Sequence, residues 1–234
     1  MGIYLDYNAS APIDEAVLGT MIDVYRNCIG NADSRTHDYG DQARGIVENA
    51  RTQVASLLGV STGEVFFTSG ATESNNIAIQ GLEAYAIQSG KKHIITSSIE
   101  HKAVLETVKA MAAKGFEVDI IDPEESGQLD PDKIVSRVKE DTLLVSLMHV
   151  NNETGIIQPI EKIGHSLREK NVLFHIDATQ SCGKLVDELR NIPYDMLSFS
   201  AHKLRGPQGV GVLVLRKKKY KFPPNAKVNV PSSK

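Results

Sequence analysis

The hexapeptide Ser198-Phe199-Ser200-Ala201-His202-Lys203 ends a short apolar run in hydroxyl, imidazole and amine groups, and the Gly-rich stretch Gly206-Pro207-Gln208-Gly209-Val210-Gly211 follows at once. A desolvated lysine amine is a nucleophile toward carbonyl carbon, and Ser200 and His202 beside it are groups able to hold phosphate. Asp177 closes the run Leu173-Phe174-His175-Ile176, and His101 follows Ile99-Glu100, so a carboxylate and an imidazole recur at the same kind of place. An amine, a carboxylate, an imidazole and phosphate-capable side chains at strand ends are what a Schiff-base cofactor such as pyridoxal phosphate requires.

Each of these residues has a simpler reading. Asp177 could cap a helix or bind a metal; beside a pyridine ring it would instead hold the ring nitrogen protonated. His101 could be structural, or it could stack on the ring and carry a proton near neutral pH. The segment from Phe67 to Asn76 reads as strand, small-residue turn and helix. In it Gly70 and Ala71 would let the backbone approach an anion, and Thr72 offers a hydroxyl beside the free N–H groups of the helix start. The alternative is ordinary N-capping by Thr72 or Ser69. His101, His149, His175, Asp177 and His202 lack the close spacing of a helix-borne metal site, so no metal is expected. No Walker pattern or G-x-G-x-x-G supports a nucleotide site.

The elements that must position these groups are strand-length apolar runs: 65–68, 94–96, 118–121, 143–147, 173–176, 196–199 and 212–215. Amphipathic stretches at 76–88, 102–113, 131–139 and 160–170 lie between them. Continuous apolar strands separated by helices predict an α/β fold, a mostly parallel seven-stranded sheet covered on both faces. In such a sheet ligands bind outside the carboxyl ends of the strands, where every candidate sits. Up to about Gly59 the chain reads as two helices around a polar loop at 30–38, and Met1 to Asp6 reads as strand-like. We expect an N-terminal segment (1–15) contributing to a small domain, a cofactor-binding large domain (16–216) and a basic, Pro-containing tail (217–234).

A chain of 234 residues with 41% hydrophobic and 24% charged content is long enough to bury a full core. Its formal net charge of −3 argues against nucleic-acid binding, which needs a basic surface. The cluster Arg216 to Lys219 with Lys221 reads as a solvated strand end or turn. Two cysteines, Cys28 and Cys182, lie far apart without metal-ligand spacing, as in a reducing compartment. With no secretory or membrane-length apolar run, the expectation is a cytoplasmic protein without a membrane partner.

Tyr4-Leu5-Asp6-Tyr7-Asn8-Ala9, the stretch Thr68 to Asn76, Glu100-His101-Lys102-Ala103-Val104, the stretch His149 to Gly155, Asp177-Ala178-Thr179-Gln180 and Ser198 to Lys203 together resemble the pyridoxal-phosphate cysteine desulfurases. These are NifS- and IscS-like members of the class V aminotransferase superfamily, with a fold-type I large domain. The resemblance runs in order from Ile3 to about Arg216. It implies that Lys203 binds the cofactor covalently, that Asp177 partners the pyridine nitrogen and that His101 is the ring-stacking acid/base. Gln180 matches a donor to the phenolic oxygen, and Asn152 a residue near that oxygen and the substrate carboxylate. Thr72, Ser200 and His202 match phosphate ligands, with Ala71 in the turn that approaches them.

The implied reaction removes sulfur from L-cysteine to give L-alanine. Sulfur is held as an enzyme persulfide and passed to an acceptor, such as an iron-sulfur scaffold protein, by a homodimer. In the family the persulfide cysteine sits on a mobile C-terminal loop with a carboxylate-binding arginine further on, and the resemblance implies that both lie beyond this sequence. Cys28 and Cys182 match neither; Cys182 reads as a small packed residue. Two alternatives stay open: a related lyase or aminotransferase acting on another amino acid, and a truncated or split protein that binds cofactor without completing catalysis.

Overall fold

Within each apolar run successive side chains point to opposite faces, and both faces are used. This is shown by a computed structural model of the protein that describes residues 2–216. The strands are β1 (Val65–Thr68), β2 (His93–Ser97), β3 (Glu117–Ile121), β4 (Thr142–Met148), β5 (Leu173–Asp177), β6 (Met196–Ser200) and β7 (Gly211–Leu215). They form one sheet in the order β1-β7-β6-β5-β4-β2-β3. β2 is parallel to β3 and β4, and β4-β5-β6 continue parallel. β7 is antiparallel to both its neighbours, β1 and β6. The sheet is the mostly parallel, seven-stranded one that the sequence predicts.

Eight helices accompany it among the described residues: α1 (Glu15–Asn27), α2 (Asp38–Leu58), α3 (Ala71–Gln80), α4 (Glu83–Ser89), α5 (Lys102–Ala113), α6 (Pro131–Ser136), α7 (Ile160–Glu169) and α8 (Val186–Asn191). One face of the sheet packs Ile95, Val145, Ile176, Leu197 and Val214 with Leu58 of α2, Ile134 of α6, Ile163 and Leu167 of α7 and Leu189 of α8. The other packs Ile94, Leu144, Met196 and Leu213 with Ile79 of α3, Ala86 of α4 and Val108 and Met111 of α5. Adjacent residues such as Ile94 and Ile95 therefore belong to different cores, which is why these strands read as mainly apolar runs without alternation.

Several local expectations are corrected. The single helix expected at 76–88 is two, because the chain turns at Gly81-Leu82 and buries Leu82 beside Ile79 and Ala86. α8, only six residues long with one buried side chain, Leu189, had no readable periodicity. Residues 2–6 form no strand: no ladder partner reaches them, and Ile3 and Leu5 are 87% and 83% exposed. α1 has no buried residue at all. Arg216 is not a solvated end: it is buried, its guanidinium 3.9 Å from the centre of the Tyr194 ring. The rest of the basic cluster and the tail at 217–234 lie outside the described residues.

Candidate active site

β7 is antiparallel to β1 and to β6, so β1 points the same way as β2, β4, β5 and β6, and the turns that follow these five strands share one rim. A cavity of about 690 Å³ opens there. Every residue matched in the sequence to the cofactor or the substrate lines it. Ala71 and Thr72 come from the turn after β1, His101 from the turn after β2 and Asn152 from that after β4; Asp177 and Gln180 come from the end of β5, and Ser200, His202 and Lys203 from the end of β6.

The turn after β1 is held from inside. Glu73 Oε2 accepts from Ser69 N at 2.6 Å and from Ser69 Oγ at 2.7 Å, and these bonds keep its carboxyl below the ordinary glutamate value. The helix cap is Gly70, so neither Thr72 nor Ser69 caps α3; Thr72 is in its first turn and its side chain is free to face the cavity. The start of β7 passes close beneath, and a Cβ on Gly211 would come 2.5 Å from Gly70 Cα. Only glycine fits at 211.

Asp177 is buried, and both its oxygens accept hydrogen bonds: Oδ2 from Asn75 Nδ2 at 2.8 Å and Oδ1 from Thr179 N at 3.0 Å. The groups beneath it are held neutral at neutral pH. Burial draws His175 down to about 4, between Ser146 Oγ at 2.8 Å and Ser198 Oγ at 2.9 Å. Burial likewise pushes Glu100 up to about 8, against hydrogen bonds from Ser97 and the Met148 amide that lower it. Asn75 carries no sequence signal for this role, because its partner is 102 residues away.

His101 is the N-cap of α5, its Nδ1 accepting from Ala103 N at 3.1 Å. A neutral ring used this way carries its proton on Nε2. Asn152 is half-buried, and its Nδ2 donates to Glu153 Oε1 at 2.6 Å.

Lys203 sits on a single 3-10 turn, Ala201–Lys203, that ends β6. Its Nζ donates to Ala9 O at 2.8 Å and to Asn8 O, and Gln180 Nε2 donates to Asn8 O at 3.0 Å. Ala11 N donates to His202 O at 3.2 Å and Asp14 N to Arg205 O at 2.8 Å, so the N-terminal segment is strapped across the β6 end. Burial lowers the Lys203 amine below the ordinary lysine value, opposed by Asp6 and helped by Lys184. Burial, then the Lys203 cation, lowers His202. Neither cysteine lines the cavity: Cys28 is the C-cap of α1, and Cys182 is buried in the core with its thiol pushed up to about 12.

Among the described residues, no group of three or more His, Cys, Asp or Glu is placed to hold a metal, and no helix is long and apolar enough to cross a membrane.

Known proteins share this fold. A "Cysteine desulfurase IscS" from Anaeromyxobacter sp. (strain Fw109-5) is 48% identical over 216 residues, covering 92% of this chain and 53% of that protein. A solved "NIFS-LIKE PROTEIN" superposes with a TM-score of 0.88 at 44% identity, over 93% of this chain and 60% of that one. "SspA in complex with cysteine" does so with a TM-score of 0.87 at 40% identity, over 92% and 61%. The chain thus spans about half the length of the curated relatives it matches. The family model "Aminotransferase class-V" matches residues 3–227, a span that takes in every strand and the whole rim of the cavity, and to that family the chain belongs.

Proposed function

We propose that this chain carries the cofactor-binding part of a pyridoxal-phosphate-dependent cysteine desulfurase, which converts L-cysteine to L-alanine and hands sulfur to a thiol. The carrying observation is the convergence of Lys203, Asp177 and His101, from three strand ends, on one cavity. The residues fit the cofactor. Thr179 and His202 line the cavity, and each carries a buried polar atom without a hydrogen-bond partner, Oγ1 and Nδ1, as at a site that a polar ligand completes. The printed titles of the similar proteins support the substrate: they name cysteine desulfurase and bound cysteine.

In this reading Thr72, Ser200 and His202, with the Ala71 backbone at the start of α3, hold the phosphate. Asp177, already oriented by Asn75 and Thr179, offers a carboxylate to the ring nitrogen. Lys203 holds the cofactor covalently and afterwards moves the substrate's α-proton, its amine prepared by burial. His101 bears a proton on Nε2 beside the ring, and Gln180 and Asn152 serve the phenolic oxygen and the substrate carboxylate. When bound, the cofactor supplies an electron sink for the bonds broken at the amino acid's α and β carbons.

The acceptor thiol is not Cys28 or Cys182, since neither lines the cavity; we assign it to the complete protein, which then passes sulfur to an acceptor such as an iron-sulfur scaffold. The small domain to which residues 1–15 contribute, the homodimer and the cytoplasmic setting belong to the same proposal. Ile3, Leu5, Tyr25 and Ile29, at 79–87% exposure, support a covering partner surface, and light scattering of cofactor-loaded protein should give a dimer mass. Borohydride reduction and peptide mapping test the cofactor. An adduct is expected on Lys203 and is absent in Lys203→Ala; an adduct on another lysine overturns the assignment. Spectral titration with cysteine against alanine and aspartate tests the substrate, with cysteine expected to perturb the cofactor band at the lowest concentration.

A further inference from the structure

Two buried side chains outside the proposed cofactor contacts tie the turn after β2 to the end of β4 and the turn that follows it: Glu100 reaches the backbone of Met148, the last residue of β4, and Asn151 reaches back to the backbone of the turn after β2. Glu100 Oε1 accepts from Met148 N at 2.9 Å, and also from Ser97 Oγ at 2.5 Å. Asn151 Nδ2 donates to Ile99 O at 3.0 Å. Asn151 Oδ1 meanwhile organises its own turn, accepting from Glu153 N at 3.0 Å and from Thr154 N at 2.9 Å. Both residues are nearly closed to solvent, Glu100 at 5% and Asn151 at 7% exposure.

The sheet does not supply this connection. The β2–β4 ladder ends at the pair Thr96 and Ser146, short of Met148. A buried polar group is expensive unless it is bonded, so paired bonds in both directions hold the two turns at one spacing. The next residue after Glu100 is His101, and the next after Asn151 is Asn152, and both line the cavity.

We infer that Glu100 and Asn151 form a reciprocal clasp that sets the spacing of His101 and Asn152 across the cavity, positioning residues for the reading of that cavity as a pyridoxal-phosphate site. They touch neither cofactor nor substrate and act through the residues they precede. Glutamine keeps the acceptor oxygen of Glu100, and alanine removes it.

The experiment compares the full chain with Glu100→Gln, Glu100→Ala, Ser97→Ala and Asn151→Asp. Amide hydrogen exchange is measured without cofactor, and the pyridoxal-phosphate dissociation constant and visible circular dichroism with it. Glu100→Ala should speed exchange by about tenfold or more at Met148 and also at Glu153 and Thr154 on the facing turn, weaken cofactor binding by about tenfold and shrink the dichroic band. Glu100→Gln should stay within about threefold of the parent in all three readouts. Should Glu100→Ala fail to fold, Asn151→Asp, which loses the donor to Ile99, and Ser97→Ala should show the same linked changes at about threefold. Acceleration confined to Met148, or linked acceleration with cofactor affinity and dichroism unchanged, overturns the clasp as a positioning device. A parent that binds no pyridoxal phosphate defeats the reading of the cavity instead, and the exchange pattern still decides whether the two turns are coupled.

Discussion

Replacing Glu100 by glutamine should remove a loss of stability that the parent shows between pH 6.5 and 8. Burial raises the Glu100 carboxyl from 4.5 to about 8, with hydrogen bonds from Ser97 and Met148 opposing and the Asp177 charge adding to the rise. Through that window the folded chain keeps a proton that the unfolded chain has released, so stability falls as pH climbs and the loss is complete once the folded carboxyl ionises. Each pH unit inside the window costs about 1.4 kcal/mol. Below pH 6.5 the buried histidines act in the opposite sense: His175, drawn down to about 4, and His149 and His202, both lowered by burial, bind protons more readily when unfolded. Cys182 and Tyr194, both raised to about 12 from 9.0 and 10.0, act only at higher pH. From pH 6.5 to 8 the Glu100 carboxyl should cost the parent roughly 2 kcal/mol, a sizeable part of a domain's usual 5–15 kcal/mol, while the Lys203 amine, lowered by burial, acts in the opposite sense and equally in parent and variant. Urea unfolding in half-unit pH steps measures this, followed by far-ultraviolet circular dichroism because the chain has no tryptophan. Glu100→Gln should lack that loss, so that its stability relative to the parent rises by roughly 2 kcal/mol over the same steps. Parallel slopes for the two proteins would refute the account of a buried, protonated Glu100.

Asp177→Asn should keep cofactor affinity within roughly tenfold of the parent while slowing α-proton exchange of a bound amino acid by about 100-fold or more, because an amide does not hold a ring nitrogen protonated; unchanged exchange would make Asp177 only the anchor of the Thr179 turn. Gly211→Ala should weaken cofactor binding by about tenfold or more, since its methyl would press on Gly70 of the phosphate turn, whereas Gly63→Ala, with open space around its Cβ, should not; equal affinities measured by spectral titration would dissociate that turn from the phosphate. The cofactor-loaded chain should release alanine and sulfide from cysteine no faster than free pyridoxal phosphate does, and the Cys28→Ser, Cys182→Ser double variant should match it; turnover that the double variant abolishes would make one of these cysteines the acceptor.

The inner strands were legible because they are buried on both faces: Leu143 to Leu147, with Ser146 the one polar residue, and Val212 to Leu215 present apolar side chains to both cores, a signal that survives in a single sequence. Their order was not, since the place of β7 between β1 and β6 rests on pairings such as Phe66 with Leu213, far apart in the chain. The strand-like look of residues 2–6 misled because β propensity without a ladder partner leaves Ile3 and Leu5 in solvent. Lys203, Asp177 and His101 were legible at strand ends by type and place. Asn75, Glu100 and Asn151 were not read as site residues, because what marks them is a buried partner: Asp177 for Asn75, Met148 for Glu100, Ile99 for Asn151.

The strap of the N-terminal segment over Lys203 also fixes an order of assembly. The contact between Lys203 and Asn8 joins residues 195 positions apart, so during synthesis Asn8 leaves the ribosome long before its partner exists. At 5–20 residues per second that interval is roughly 10–40 s, far longer than helix or hairpin formation. The rim after β2 is made early, the Lys203 turn late and the rim after β1 later still, since the ladder partner of β1 is β7; the first residues translated are among the last to find their place. Seating of the N-terminal segment against the amine of Lys203, and with it completion of that wall of the cavity, is thus a late event of folding.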